Sequence, residues 1–313
     1  MSDSSVLILG ELAAEYGSLV AADAQLSIPV TICGDAAQAT AAYTDQSILF
    51  GDPQTISQVL PDLPAVKWVQ STWAGITPLL EIERRDYLLT GIKGAFGPQM
   101  SEYVLGYMLA HALRIAERLS EQGKHQWRET ESGTLLGKRI GVMGTGSIGE
   151  AIAGRAAQNG MVVTGLSRSG EPNSPFERVY TAAELGGFLS GLDYLVSVLP
   201  DTAATDKLLN ETTLAHLPSH ACFINVGRAN VVDDDALIAA LKSNALGGAV
   251  LDVFDEEPVP GDSPLWGTPN LLMTPHIAAV SHPELIVPIF LENHERFVSG
   301  RPLKNLISFE HGY

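Results

Sequence analysis

Residues 141–170 read GVMGTGSIGEAIAGRAAQNGMVVTGLSRSG. The stretch continues an apolar run, 140–143, with the length and residue types of a buried strand. Gly144, Gly146 and Gly149 follow at once, and a helical pattern then runs to Asn159-Gly160, a pair suited to ending a helix. Glycines cluster in many turns, but placed directly between a strand and a helix they make the G-x-G-x-x-G fingerprint of a dinucleotide-binding unit. Gly144 permits a tight turn, Gly146 leaves room for a pyrophosphate, and Gly149 lets helix and strand pack closely. The amides of Thr145, Gly146, Ser147 and Ile148 would meet the phosphates at the positive end of the helix.

The second strand of such a unit, here 162–166, normally ends in an acid that accepts hydrogen bonds from the adenosine ribose of NAD. This chain has Ser167, Arg168 and Ser169 instead. No carboxylate is present to repel a 2′-phosphate, and the Arg168 guanidinium can pair with one. The segment is therefore expected to prefer NADP(H), with NAD(H) possible; the plainer reading of Arg168 is a solvent-facing cation beside a serine.

Working outward, short β-rich runs alternate with helical patterns, as in βαβ units and parallel sheets. Before the glycine loop the expected strands are 6–9, 29–32, 47–50, 66–70 and 87–90, followed by one long helix over 101–121 ended by Gly123. From the loop onward they are 140–143, 162–166, 194–198, 222–226, 249–252 and 271–274. The interval 253–270 carries Pro258, Pro260, Pro264 and Pro269 and reads as loop. A last helix spans about 283–299. The expectation is an α/β chain with two doubly wound parallel-sheet domains. A Rossmann cofactor domain, 101–282, interrupts a smaller flavodoxin-like substrate domain, 1–100 plus 283–313.

The 313 residues exceed what one compact core usually holds, and 45% hydrophobic with 18% charged residues is an ordinary globular composition. A net charge of −17 argues against nucleic acid or an anionic membrane as partner. The start, MSDSSVLILG, lacks the basic region and apolar length of a signal peptide, and YVLGYMLAHALRIA is interrupted by His111 and Arg114. Cys33 and Cys222 both fall in strand-like runs and read as reduced core thiols. A cytoplasmic location is expected.

In an open α/β sheet, ligands collect beyond the carboxyl ends of the strands. Those ends bear the glycine loop, Ser167-Arg168, Leu199-Pro200, Gly227-Arg228, Asp252 followed by Glu257, and Pro275-His276. Taken singly, a histidine after proline, an acidic turn and an arginine after glycine are commonplace surface residues. Together on one rim they can serve chemistry beside a cofactor.

Four stretches, LLGKRIGVMGTGSIG, NVGRANVVDDDALIAAL, LDVFDEEP and TPHIAA, resemble the motifs of the D-isomer-specific 2-hydroxyacid dehydrogenases in order and spacing. STWAG and the terminal GY are similar to the glyoxylate/hydroxypyruvate reductase branch. The resemblance implies reduction of a 2-keto acid to a 2-hydroxy acid. His276 would be the proton donor, Glu257 its carboxylate partner and Arg228 the binder of the substrate carboxylate and keto oxygen. A free histidine is mostly neutral at neutral pH, so an adjacent carboxylate helps keep such a donor charged. The resemblance also places Leu199, Pro200, Thr205, Val226, Gly227, Asp252, His276 and Ala278 at the cofactor, with Asp252 on the nicotinamide carboxamide. Trp73, Ala74 and Gly75 join Arg228 and His276 at the substrate; the amides of Ala74 and Gly75 form a cradle, while Trp73 either caps a small pocket or packs in a core.

His216 and His220 have metal-pair spacing, but Pro218 breaks the helix that would align them. Asp233, Asp234 and Asp235 precede ALIAAL and read as helix-capping residues, so no metal is expected. A homodimer through the 101–121 helix is expected, because that helix has much apolar surface and family members commonly pair through the cofactor domain. Two alternatives stay open at this point: a reductase of larger 2-keto acids, and a dehydrogenase-like sensor of nicotinamide cofactors.

Overall fold

The computed structural model describes residues 4–23 and 28–310, so the Gly312-Tyr313 ending lies outside the described residues. The chain divides into two compact units, Met1–Ala95 with Ser281–Tyr313, and Phe96–Val280. Each break directly precedes a helix, so the helix after the first break belongs to the second unit from its first turn.

In the first unit, strands and helices alternate: β1 (Val6–Leu9), α1 (Ala13–Ala22), β2 (Val30–Cys33), α2 (Ala36–Ala42), β3 (Ile48–Gly51), α3 (Pro53–Val59), β4 (Trp68–Ser71), α4 (Thr77–Leu80) and β5 (Leu88–Thr90). All pairings among them are parallel, in the order β2-β1-β3-β4-β5. That is the flavodoxin-like winding. β1, β3 and β4 are buried throughout, which is why they read as unbroken apolar runs; edge strand β2 is only partly covered. Asp35 and Asp52 cap α2 and α3 by accepting the Gln38 and Thr55 amides.

In the second unit come α5 (Gly97–Ala112), α6 (Ile115–Gly123), β6 (Arg139–Met143), α7 (Ser147–Gln158), β7 (Val162–Leu166), β8 (Arg178–Tyr180), α8 (Leu185–Leu189), β9 (Tyr194–Ser197), α9 (Glu211–Leu214), β10 (Cys222–Asn225), α10 (Asp234–Lys242), β11 (Gly248–Leu251) and β12 (Leu271–Met273). Among the described residues this sheet has seven parallel strands, β12-β11-β10-β9-β6-β7-β8, a Rossmann order extended by one strand. Its winding reverses between β6 and β9, where a ligand crevice is expected. Two hydrophobic clusters, around Leu195, Phe223 and Leu251 and around Val142, Val196 and Ile224, cover its two faces.

α11 (Pro283–Val298) closes the chain and packs on the first unit. Phe290 stacks on Phe50 at 4.3 Å between ring centroids and on Trp68 at 5.5 Å, all three fully buried. Truncating such a ring typically costs ~3–5 kcal/mol, enough to tie the returning helix to its sheet.

Two expectations need correction. The single helix over 101–121 is two helices, because Arg114 takes a left-handed backbone (φ 55°) that interrupts the hydrogen-bond ladder. The glycine-loop sheet also has a strand beyond the six expected. β8 has three residues with only Val179 buried, too short and polar to show as a buried run. Among the described residues no helix is long and apolar enough to cross a membrane.

Candidate functional site

The glycine loop bridges β6 and α7, and its three glycines meet three different constraints. Gly144 has φ +100°, a backbone suited to glycine, and its N–H donates across to Leu166 O at the end of β7 at 2.9 Å. A Cβ on Gly146 would meet nothing within 4 Å, so the space beside it can receive a bulky group. A Cβ on Gly149 would lie 1.9 Å from Gly144 O, so helix and turn touch there. Gly146 is the N-cap of α7, and Thr145, Ser147 and Ile148 flank it. The residues present thus fit a dinucleotide pyrophosphate.

At the end of β7, the Ser167 Oγ accepts the Gly170 amide at 3.1 Å, and the Ser169 Oγ accepts the Glu171 amide at 3.3 Å. The Arg168 side chain between them is exposed. Asn173 then donates to Thr145 O at 3.2 Å and to Glu150 Oε1 at 2.7 Å, pinning this loop to the glycine loop. Nothing in the sequence pattern singled out Asn173, a lone amide in a polar segment.

Leu199 and Pro200 follow β9, and the Thr205 Oγ1 lies 2.8 Å from Pro200 O while accepting the Thr202 amide at 3.0 Å. After β10, Val226 is buried, and a Cβ on Gly227 would stand 2.8 Å from Leu199 O. Only glycine allows these two strand-end turns to approach so closely. Asn225, fully buried, accepts the Gly227 amide at 3.2 Å and donates to Arg228 O at 2.9 Å. This brace was missed in the sequence because its NVGRAN setting names only the turn it supports. Arg228 Nη1 donates to Gly227 O at 2.7 Å. Burial lowers the Arg228 pKa, opposed by the nearby carboxylates of Asp201 and Glu257.

Glu257 and His276 meet directly, Oε2 to Nδ1 at 2.9 Å, and the other Glu257 oxygen accepts the Phe254 amide at 2.9 Å. With Nδ1 engaged, the Nε2 nitrogen is the one left for a ligand. His276 has φ +53°, a left-handed conformation that costs a non-glycine residue roughly 1 kcal/mol. Asp252 at the end of β11 is almost wholly buried. Its carboxylate accepts the Ile277 and Ala278 amides at 2.9 Å each and the Thr274 hydroxyl at 2.6 Å.

In the first unit, the turn after β4 holds Trp73, Ala74 and Gly75. Ser71 Oγ donates to Trp73 O and accepts the Trp73 amide, at 2.8 and 3.0 Å. The Trp73 side chain is 45% exposed, so it is not a packed core residue of this unit. Thr72 O accepts the Ser281 hydroxyl at 2.6 Å.

Two of the discounted residues, His220 and Asp233, have protein partners. His220 Nε2 lies 3.1 Å from Asp193 Oδ1, and Asp233 caps α10 on the Ala236 amide while pairing with Lys207. Cys33 and Cys222 are free and buried.

Residues 105–278 match the family model described as D-isomer specific 2-hydroxyacid dehydrogenase, NAD binding domain. The chain belongs to the D-isomer specific 2-hydroxyacid dehydrogenases. Among curated relatives of this dehydrogenase, the glyoxylate/hydroxypyruvate reductase A of Klebsiella pneumoniae (strain 342) is 34% identical over 217 residues, 69% of this chain and 70% of that one. A family member from Aeromonas salmonicida superposes with a TM-score of 0.92 at 38% identity, covering 98% of this chain and all of that one. An NADPH-dependent glyoxylate/hydroxypyruvate reductase from Sinorhizobium meliloti, in complex with NADP and sulfate, superposes at 0.85 with 29% identity, covering 99% of this dehydrogenase and 100% of that chain.

Proposed function

We propose that the chain reduces a small 2-keto acid of the glyoxylate or hydroxypyruvate type to the D-2-hydroxy acid, using NAD(P)H and preferring NADPH. The observation that carries this reading is the 2.9 Å pairing of His276 with Glu257 on the strand-end rim that also bears the glycine loop. The names of the Klebsiella and Sinorhizobium relatives support the substrate class. Ser167-Arg168-Ser169 in place of a carboxylate supports the phosphorylated cofactor.

The amides of 145–148 would hold the pyrophosphate, and Arg168 with the two serines would hold the 2′-phosphate. By the family resemblance, Leu199, Pro200, Thr205, Val226, Gly227, Asp252 and Ala278 would line the remainder of the cofactor. Bound NADPH supplies the hydride for the keto carbon. Arg228 pairs with the substrate carboxylate and polarises the keto oxygen, and its burial strengthens both contacts. His276, oriented by Glu257, delivers a proton to that oxygen from Nε2. By the family resemblance, the Ala74 and Gly75 amides would cradle a substrate carboxylate, and the bulky, exposed Trp73 would favour a small substrate.

The decisive experiment follows NADPH and NADH oxidation against glyoxylate, hydroxypyruvate, pyruvate and branched 2-keto acids. Turnover highest on the two small acids with NADPH is expected. Preference for a branched acid moves the reading to a larger substrate, and tight NADPH binding without turnover moves it to a cofactor sensor.

The reading extends to a cytoplasmic homodimer. Leu113, Ile115 and Leu119 on and beside α6, with Trp127 at 92% exposure, leave an apolar surface suited to a second copy. Two unpaired buried cysteines suit a reducing compartment. Light scattering of the purified chain tests the dimer.

A further inference from the structure

The loop that carries His276, residues 274–280, is held at nearly every backbone donor. The Thr274 amide donates to Leu251 O at 2.9 Å, and the His276 amide turns back to Thr274 O at 3.0 Å. Asp252 takes the Ile277 and Ala278 amides, and Gln99 Oε1 takes the Val280 amide at 3.0 Å. Gln99 also donates its Nε2 to Val280 O at 3.0 Å, closing a reciprocal pair.

At the other end of the loop, Tyr103 OH lies 2.5 Å from Thr274 Oγ1. The direction of this contact follows from Asp252. A carboxylate already receiving two amides acts as acceptor, so the Thr274 hydroxyl spends its single proton on Asp252 Oδ1 at 2.6 Å. Tyr103 must then donate to Thr274. The result is a one-way chain, Tyr103 to Thr274 to Asp252, ending on the carboxylate that grips both residues after His276. Gln99 and Tyr103 are four apart on α5 and share one face, so a single helix holds both ends of the loop.

We propose that Gln99 and Tyr103 are positioning residues for His276. They hold its left-handed turn in place so that Nδ1 stays on Glu257 and Nε2 stays aimed at the substrate. A non-glycine residue keeps such a backbone only where its surroundings over-determine it, and the two α5 side chains supply that constraint from outside the loop. The proposal rests on the reading of His276 as proton donor. It goes beyond that reading by assigning to α5 residues, remote in sequence, the precision of the proton transfer.

The test uses the full-length protein and the variants Tyr103→Phe, Gln99→Leu, Thr274→Val and Thr274→Ser. The first three are expected to lower kcat about tenfold with KM for NADPH within about twofold, and to raise the solvent deuterium isotope effect on kcat as proton transfer becomes limiting. Thr274→Ser keeps the hydroxyl and should restore wild-type values. Hydrogen exchange gives a readout independent of turnover: the Ile277 and Ala278 amides should exchange about tenfold faster in Tyr103→Phe and Thr274→Val. Unchanged exchange in those variants overturns the proposal. So does faster exchange with kcat and isotope effect unaltered, because the loop would then be held to no catalytic end. A wild-type chain inactive on every 2-keto acid overturns the functional reading instead, and exchange alone then decides whether α5 holds the loop.

Discussion

Glu257 holds His276 by one oxygen and is itself held by the other: Oε2 lies 2.9 Å from Nδ1, and Oε1 accepts the Phe254 amide at 2.9 Å. The carboxylate can neither rotate freely nor offer a second oxygen to the ring, so it fixes the imidazole's orientation as well as its electrostatic surroundings.

From this, His276→Gln is expected to lower kcat by about a thousandfold, the usual scale for losing a positioned proton donor, with NADPH affinity within about twofold. Glu257→Gln keeps a side chain that can still orient the ring and should cost less, about ten- to a hundredfold. Steady-state kinetics beside NADPH titration separate the two effects. Turnover unaltered in His276→Gln would remove it from the acid role.

Arg168→Ala is expected to raise KM for NADPH by about ten- to 150-fold while leaving NADH within about twofold, since a charge-assisted pair of this kind contributes roughly 1.5–3 kcal/mol. Ser167→Asp should go further and favour NADH, by repelling the 2′-phosphate and accepting the ribose hydroxyl. Equal effects on both cofactors would show that the end of β7 does not read the phosphate.

Gly149→Ala places a methyl 1.9 Å from a backbone oxygen, which no side-chain rotation relieves. The turn at Gly144 must shift, at a cost of roughly 1–3 kcal/mol. Both the melting temperature and NADPH affinity should fall. Gly146→Ala meets open space and should spare stability while weakening NADPH, because the added methyl enters the phosphate's room. Calorimetry with and without NADPH distinguishes the pair.

Asp234 titrates at about 6, raised by burial and by the neighbouring Asp255, Asp233 and Asp235 carboxylates. In the unfolded chain it ionises near 3.8, so between those values the folded state holds the extra proton. Stability therefore falls as pH rises through that window, and the loss is complete above about pH 6. Asp234→Asn should melt about 2 °C higher than the parent at about pH 8, with the difference vanishing near pH 4. His111 and His294 act oppositely: burial lowers both pKa values, so their contribution is present above the usual histidine range and fades as pH drops through it. Thermal scans from acid to alkaline pH resolve the two slopes.

Much of the architecture could be read from residue order because its causes are local. β1, β3, β4, β9 and β10 are buried on both faces and so appear as short apolar runs between turn residues. β8 escaped for the converse reason: at the sheet edge, only one of its three residues is buried. The break between α5 and α6 escaped because Arg114 carries no sequence mark of a left-handed backbone, and apolar spacing continues across it.

Residue order by itself determined the glycine turn, the missing acid after β7 and the parallel winding, since each depends on neighbours a few positions apart or on the alternation of buried runs. Only the tertiary structure decided which strand-end side chains touch. Glu257 reaches His276 across nineteen positions, Asp252 grips the His276 loop, and Tyr103 and Gln99 reach it from α5. Those contacts depend on how the ends of β11 and β12 and the start of α5 come together in three dimensions, a proximity set by sheet order and helix packing, which no local pattern encodes.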